Sequence, residues 1–116
     1  MADLLVDTDV FVDHLRGYRS FRAGDDRIHY SVITRAELLA GRNTQEGAVS
    51  LLLAPFTEIS VDRSIAESGG RLRRDRAIAL PDALIAATAL RDGLTLVTRN
   101  RTHFEAIPAI TVSAPD

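Results

Sequence analysis

The sequence lacks cysteine and lysine altogether. Without cysteine the chain has no disulfides, thiolate zinc sites or cysteine nucleophiles. Without lysine it has neither Schiff-base chemistry nor a P-loop lysine. All 14 basic residues are arginines, whose side chains can donate two parallel hydrogen bonds to a phosphate or a carboxylate. Any metal site in this chain must therefore use oxygen or imidazole ligands.

Long hydrophobic runs are also absent. No apolar stretch approaches the roughly 20 residues that span a bilayer, and the N-terminal MADLLVDTD lacks the basic and apolar regions of a signal peptide. We therefore expect a soluble, cytoplasmic protein without a membrane contact. The formal net charge of −2 does not predict general binding to nucleic acid, so any RNA contact requires arginines gathered locally.

Apolar runs and helical patterns alternate along the chain, which is of ordinary size for one domain. Strands are predicted at 3–7, 28–30, 56–60, 95–98 and 109–113, and helices at 9–16, 31–39, 44–54, 62–78 and 81–92, with a helical turn at 101–106. Because parallel strands need crossover connections, this alternation predicts an α/β sandwich around a mostly parallel sheet.

Several positions mark helix ends or interrupt a helix. Ser31 and Thr44 are predicted N-caps, and Gly93 is typical of the position that follows a helix. Gly69 and Gly70 stand inside a predicted helix, where each costs about 1 kcal/mol relative to alanine. This pair predicts a kink, close packing or two shorter helices.

Polar residues follow two of the predicted strands. Asp7 ends the first strand, and Asn100 follows TLVT. Ligands of parallel α/β sheets bind beyond the carboxyl ends of the strands. The position of both residues therefore favours a functional site over a random surface.

Glu37 is predicted to lie on an inner face of its helix. It shares a stripe at helical spacing with Ile33, Ala36 and Ala40. A solvated surface glutamate is the alternative, because acidic residues are rarely buried.

Asp82 begins the nearly all-apolar helix LPDALIAATAL. Capping of that helix is one explanation for it. The other is that Asp7, Glu37 and Asp82 converge from three elements, where they would repel one another unless protonated or neutralised by a cation. Hard oxygen ligands favour Mg²⁺ or Mn²⁺, and such a metal suits phosphodiester cleavage.

Four segments in this order resemble the PIN-domain ribonucleases, and within them the VapC toxins: LLVDTDVFVDHL, SVITRAELLAG, LPDALIAATAL and LTLVTRN. The resemblance implies a PIN-like three-layer α/β/α fold, with residues 1–116 as a single PIN domain. It also implies an Mg²⁺- or Mn²⁺-dependent endoribonuclease. Asp7, Glu37 and Asp82 would be its metal-binding and catalytic residues, with Thr8 and Thr98 in support.

The chain departs from this family at Asn100, where an aspartate is often seen. An amide oxygen can reach a metal directly or through water, but it adds no charge, so both one and two metals stay open. His103 nearby is interpreted as a surface residue rather than a phosphate contact. Asp9 is predicted to cap the first helix or to support the site, and Asp13 to lie on its surface or to pair with Arg16.

The family resemblance further implies a toxin of a type II toxin–antitoxin system. Its partners would be a VapB-type antitoxin and an RNA substrate, and its own unit a homodimer that binds the antitoxin. One basic run is a candidate contact for RNA phosphates or antitoxin carboxylates, with a solvated helix face as the alternative. It comprises Arg71, Arg73, Arg74 and Arg76.

Two other functions are compatible with parts of the sequence. VDTDV resembles the DxD motif of haloacid dehalogenase-type phosphatases, in which Asp7 would be the nucleophile and Asp9 the acid. That chemistry normally uses a lysine, which this chain lacks. The second alternative is a catalytically inert PIN-like module that only binds an antitoxin or RNA.

Overall fold

Five parallel strands form one sheet in the order β3-β2-β1-β4-β5. The computed structural model describes residues 1–115. The strands are β1 (Asp3–Val6), β2 (Arg27–Ser31), β3 (Thr57–Ile59), β4 (Thr95–Val97) and β5 (Val112–Ser113). The helices are α1 (Thr8–Leu15), α2 (Val32–Leu39), α3 (Glu46–Leu53), α4 (Arg63–Asp75) and α5 (Leu80–Asp92), and a 3-10 turn covers Arg101–His103. The predicted α/β fold is confirmed, with a sheet that is wholly parallel.

The central strand β1 determines where polar groups gather. Leu5 lies opposite His29 of β2 and Leu96 of β4. The next residue after β1, Asp7, donates its backbone N–H to the carbonyl of Val97 over 2.9 Å. The end of β1 is thereby held beside the end of β4, at the carboxyl edge of the sheet.

Each face of the sheet carries its own apolar core. Leu5 of β1 packs with Ile85 of α5 and Phe104, whereas its neighbour Val6 packs with Phe11 of α1 and other residues on the opposite face. Successive strand residues point to opposite faces, so adjacent apolar residues in β1 serve two layers of helices. This gives the α/β/α arrangement. None of the helices within residues 1–115 has the length and hydropathy needed to cross a bilayer.

Close packing explains one of the paired glycines, Gly69. The helix α4 runs without interruption through both, so neither a kink nor two shorter helices is present. Gly69 is buried against α5, where an added Cβ would lie 2.6 Å from Leu84 Cδ2 and 3.2 Å from Leu84 Cα. Gly70 faces solvent and has no atom within 4 Å of such a Cβ.

Some helix ends differ from the prediction. Ser31 caps α2 as predicted, accepting from the Ile33 N–H over 3.0 Å, and Gly93 ends α5 in the left-handed region at φ +64°. Thr44 does not cap α3, which begins after Gln45 without a side-chain cap. The Thr44 hydroxyl instead donates to the Leu38 carbonyl at the end of α2, because the intervening loop folds back on that helix.

The predicted inner face of α2 is wrong. Ala36, Glu37 and Ala40 are exposed, and the buried residues of this helix are Thr34 and Leu38. The helix lies at the end of the sheet, and its opposite stripe packs inward. The helical spacing of apolar residues was read correctly. It does not decide whether the stripe with Glu37 or the stripe with Thr34 and Leu38 faces the core.

Candidate active site

Asp7 is a buried carboxylate at the junction of β1 and α1, with only 5% of its surface exposed. It is the N-cap of α1, and its Oδ1 accepts from the Thr8 N–H over 2.8 Å. Its Oδ2 accepts from the Thr98 hydroxyl, also over 2.8 Å. The cap of α1 is thus Asp7 and not Asp9, because α1 starts one residue earlier than predicted.

The surroundings of Asp7 disfavour its charged form. Burial, and then the negative charge of Asp9, raise the pKa of Asp7 to about 7. The hydrogen bonds from Thr98 and Thr8 act in the opposite direction, and Asp82 adds a smaller repulsion. A bound cation would offset this repulsion and favour the charged form of Asp7.

Asp9 lies in the first turn of α1 and contacts the segment that follows β4. Its Oδ2 is 3.2 Å from the Thr98 hydroxyl, and its carboxylate accepts from the Arg99 N–H over 3.2 Å. Because a hydroxyl has one proton, Thr98 shares it between Asp7 and Asp9. Asp9 is therefore bound to the same threonine as Asp7.

Asp82 reaches the site from the first turn of α5, with 27% of its side chain exposed. The cap position of α5 is Ala79, which makes no side-chain capping bond. Burial raises the pKa of Asp82, the charge of Asp9 adds to the rise, and His103 opposes it. Electrostatic repulsion thus connects Asp82 to the acids on α1.

Glu37 joins the site through a hydroxyl rather than beside the other acids. Its Oε1 accepts from Thr8 Oγ1 over 2.8 Å, and the same hydroxyl lies 2.9 Å from the buried Thr34 Oγ1. Thr8 directly follows Asp7 in the chain. It connects Glu37 to the carboxyl edge of the sheet without burying it.

His103 lies beside Asp82, and Asn100 contacts His103. Asn100 donates its backbone N–H to Thr98 Oγ1 over 3.1 Å, and its Nδ2 is 3.0 Å from His103 Nδ1. That nitrogen is also 3.7 Å from Asp82 Oδ2, although 57% of the His103 side chain is exposed. His103 is thus a surface residue, as interpreted, but one in contact with the acidic site.

The predicted basic run lies outside this cluster. Arg71, Arg73 and Arg74 are exposed on α4, and Arg74 pairs with the adjacent Asp75. Arg76 is partly buried and donates to the Ala106 carbonyl over 3.0 Å. It lines a cavity of about 500 Å³ that opens beside Asp82.

Asp9 was predicted to cap α1 or to support the site, whereas the contact between Asp13 and Arg99 was not predicted. The charge of Asp9 raises the pKa of both Asp7 and Asp82, whereas Glu37 is not among the causes of either shift. Asp13 pairs with Arg99 rather than Arg16, with 2.5 Å between Oδ2 and Nε. The spacing of Asp9 and Asp13 by four residues on α1 was the available signal, since it places both on one helix face.

Comparison with known proteins agrees with this fold. The PIN domain family profile matches residues 4–110. Two proteins of Mycobacterium tuberculosis are similar over most of their length. "Ribonuclease VapC10" is 40% identical, covering 87% of this chain and 85% of its own. "Ribonuclease VapC19" is 36% identical, covering 90% of this chain and 94% of its own.

Solved structures show the same architecture. A toxin–antitoxin complex from Klebsiella pneumoniae contains a chain that is 31% identical, with a TM-score of 0.74 over 97% of this chain and 98% of that one. VapBC2 of Rickettsia felis, bound to a fragment of promoter DNA, shares the fold with a TM-score of 0.81 at 23% identity, covering 98% and 99%. The chain belongs to the PIN-domain family. Within that family its curated relatives carry the name VapC.

Proposed function

We propose that the protein is a VapC-type toxin, an endoribonuclease that depends on Mg²⁺ or Mn²⁺. The observation that carries the proposal is the buried carboxylate of Asp7, repelled by Asp9 and Asp82 at the carboxyl edge of a parallel sheet. The relatives named ribonuclease support RNA as the substrate class.

The side chains at the site fit a hard divalent cation by their chemistry. Asp7, Asp9 and Asp82 offer carboxylate oxygens, and Asn100 offers an amide oxygen. Within residues 1–115 no three His, Asp or Glu side chains are close enough to form a ready-made metal group. Binding would therefore draw the acids together, against a repulsion that the cation itself removes.

A bound divalent metal ion would supply charge stabilisation at the scissile phosphate and a lower pKa for water. The residues of the chain have separate tasks around it. Asp7 and Asp82 would hold the cation, and Thr98 would orient Asp7 through its hydroxyl. Glu37 accepts a hydrogen bond from the Thr8 hydroxyl. Through that hydroxyl it would accept the proton that the attacking water loses. His103, on the exposed side of Asp82, would face the RNA.

The partners follow from the same assignment. Solved structures of this fold include VapBC complexes, one of them bound to promoter DNA, so we propose a VapB-type antitoxin as the partner of this chain. We also propose a homodimer as the toxin's own unit. The exposed Arg71, Arg73 and Arg74 on α4 are available to acidic antitoxin side chains or RNA phosphates.

The test is cleavage of a mixed RNA pool by the purified chain. We expect cleavage with Mg²⁺ or Mn²⁺ and none with EDTA. Replacing Asp7 by Asn should reduce the rate at least 100-fold, since it removes a metal-binding charge. The matched control is Asp3→Asn, because Asp3 lies at the opposite end of β1 and pairs with Arg27.

Two results would contradict the proposal. RNA binding without cleavage under any divalent metal, unchanged by Asp7→Asn, would indicate an inert binding module. Release of inorganic phosphate from a simple monoester, with intact RNA, would indicate a phosphatase.

A further inference from the structure

The segment Thr98–Asn100, which follows β4, contacts α1 and its N-cap through two successive residues, Thr98 and Arg99. Thr98 Oγ1 contacts Asp7 and Asp9, and the Arg99 N–H donates to Asp9. The Arg99 side chain then extends along α1 to Asp13, one helical turn further on, with 2.5 Å between Nε and Oδ2. One residue of this segment thus meets two carboxylates on the same face of α1.

The pair of Arg99 and Asp13 is largely withdrawn from solvent, with 18% and 26% of the side chains exposed. Arg99 Nε is buried and makes no aligned hydrogen bond within residues 1–115, so charge rather than hydrogen-bond geometry holds this contact. Burying two charges is costly, and such pairs add little to stability compared with apolar packing. A gain in stability alone does not explain why this pair is placed beside the site.

The neutral side chain of Asn100 suggests what the pair of Arg99 and Asp13 does at the site. An acid at this position would be attracted to a cation by its own charge, whereas a neutral amide must be placed by the fold. Asn100 is exposed, and its backbone N–H donates to Thr98 Oγ1, the same atom that contacts Asp7 and Asp9. Its position therefore depends on what holds the segment.

We infer that Arg99 is a positioning residue for the metal site, acting through its ion pair with Asp13. The pair holds Thr98–Asn100 against α1, so that the Thr98 hydroxyl meets Asp7 and the Asn100 side chain stays in contact with His103, next to Asp82. This inference rests on the proposed function, because it concerns the same site.

The experiment compares Arg99→Gln, Asp13→Asn and the double variant with the wild-type chain. Mn²⁺ affinity is measured by calorimetry, and the backbone amide resonances of residues 98–100 are followed by NMR without metal. Each single variant should weaken Mn²⁺ binding about 10-fold, the lower end of the effect of residues that orient metal ligands. The double variant should bind Mn²⁺ no more weakly than either single variant, because the two substitutions remove the same contact.

Three further measurements separate positioning from other roles. Arg99→Lys, which keeps the charge, should recover most of the Mn²⁺ affinity. RNA cleavage by Arg99→Gln should show a lower kcat with little change in KM. Arg27→Gln is the matched control, because it breaks an Arg–Asp pair with Asp3 at the far end of the sheet and should leave Mn²⁺ affinity unchanged.

The inference would be overturned if folded Arg99→Gln bound Mn²⁺ as tightly as the wild-type chain while only its unfolding free energy fell. A raised KM for RNA at unchanged Mn²⁺ affinity would also overturn it, and would assign Arg99 to RNA phosphate instead. If Arg99→Gln does not fold, Asp13→Asn carries the same test. A wild-type chain that binds Mn²⁺ but cleaves no RNA would defeat the proposed function and leave this inference standing.

Discussion

At the scale of single residues, the site is governed by the cost of placing a charge at Asp7. Its oxygens accept from one backbone N–H and one hydroxyl, yet burial and the charge of Asp9 outweigh both bonds and raise its pKa to about 7. A buried acid of this kind destabilises the empty site at neutral pH.

This cost predicts an unusual pH dependence for Asp7→Asn. The folded pKa of about 7 lies above the ordinary value of 3.8, so the stability that protonated Asp7 provides is complete below pH 3.8 and is lost as the pH rises through 7. In EDTA at pH 8 we expect Asp7→Asn to exceed the wild-type unfolding free energy by a few kcal/mol. At pH 4 the two should be nearly equal, as urea titrations would measure.

Asp3→Asn controls for the general effect of removing an acid. The Arg27 hydrogen bond lowers the pKa of Asp3, so its charge stabilises the fold above the ordinary pKa and no gain is expected at pH 8. A difference between Asp7→Asn and the wild-type chain that stays constant from pH 4 to 8 would mean that Asp7 is not perturbed in the folded state.

The acids should also differ in their importance for metal binding. Glu37 is exposed and reaches the site through Thr8, whereas Asp82 is repelled directly by Asp9. Asp82→Asn should therefore weaken Mn²⁺ binding at least 10-fold, and Glu37→Gln by a smaller factor. Calorimetry on both variants decides the order, and a larger loss in Glu37→Gln would contradict this geometry.

At the scale of elements, the contact between α4 and α5 depends on one glycine. Gly69→Ala places a methyl group 3.2 Å from the Leu84 backbone, which cannot move as a side-chain tip can. We expect a loss of roughly 1–3 kcal/mol from overpacking. The gain in helix propensity offsets about 0.5–1 kcal/mol of it.

Gly70→Ala is the matched control in the same helix. No atom lies within 4 Å of its added Cβ, so only the propensity gain of about 0.5–1 kcal/mol remains. Urea unfolding of the two variants should therefore shift in opposite directions. Equal shifts would show that α4 and α5 are not in close contact at Gly69.

Most elements could be predicted from sequence because their signals are local. Periodicity and caps located β1, α2 and α5 to within one or two residues. The inner face of α2 and the role of Thr44 could not be predicted, since both depend on how that helix lies at the end of the sheet. The burial of Gly69 was one of three outcomes that spacing alone allowed.

At the scale of the whole molecule, the site is made of residues far apart in the chain. Asp7 and Thr98 are 91 positions apart and share a hydrogen bond. Motifs in the sequence identified both residues. Their positions at the ends of two predicted parallel strands also predicted that they lie at the same edge of the sheet. The spacing of Asp9 and Asp13 places both acids on one face of α1, but no local pattern identifies Arg99 as their partner, because that contact forms only when β4 aligns with β1.

Because a cation would bind only the folded site, it should stabilise the whole fold. At a Mn²⁺ concentration 100 times Kd, the unfolding free energy should rise by about 2.7 kcal/mol. Thermal melts at increasing Mn²⁺ would measure this rise, which Asp7→Asn should abolish and Asp3→Asn should retain. Melting temperatures that do not respond to Mn²⁺ would exclude a metal site in the folded chain.

The strand order β3-β2-β1-β4-β5 also bears on how the protein is made. The central strand is the first of the five to be synthesised, but one of its two neighbours, β4, follows β2, β3 and all five helices in the chain. During translation β1 can pair with β2 early. Asp7 cannot contact Thr98, and Asp9 and Asp13 cannot contact Arg99, until those later residues have been made. A growing chain therefore cannot assemble its acidic site until the segment Thr98–Asn100 has left the ribosome. Under the proposed function, each nascent chain would therefore be an inactive ribonuclease until this segment is free of the ribosome.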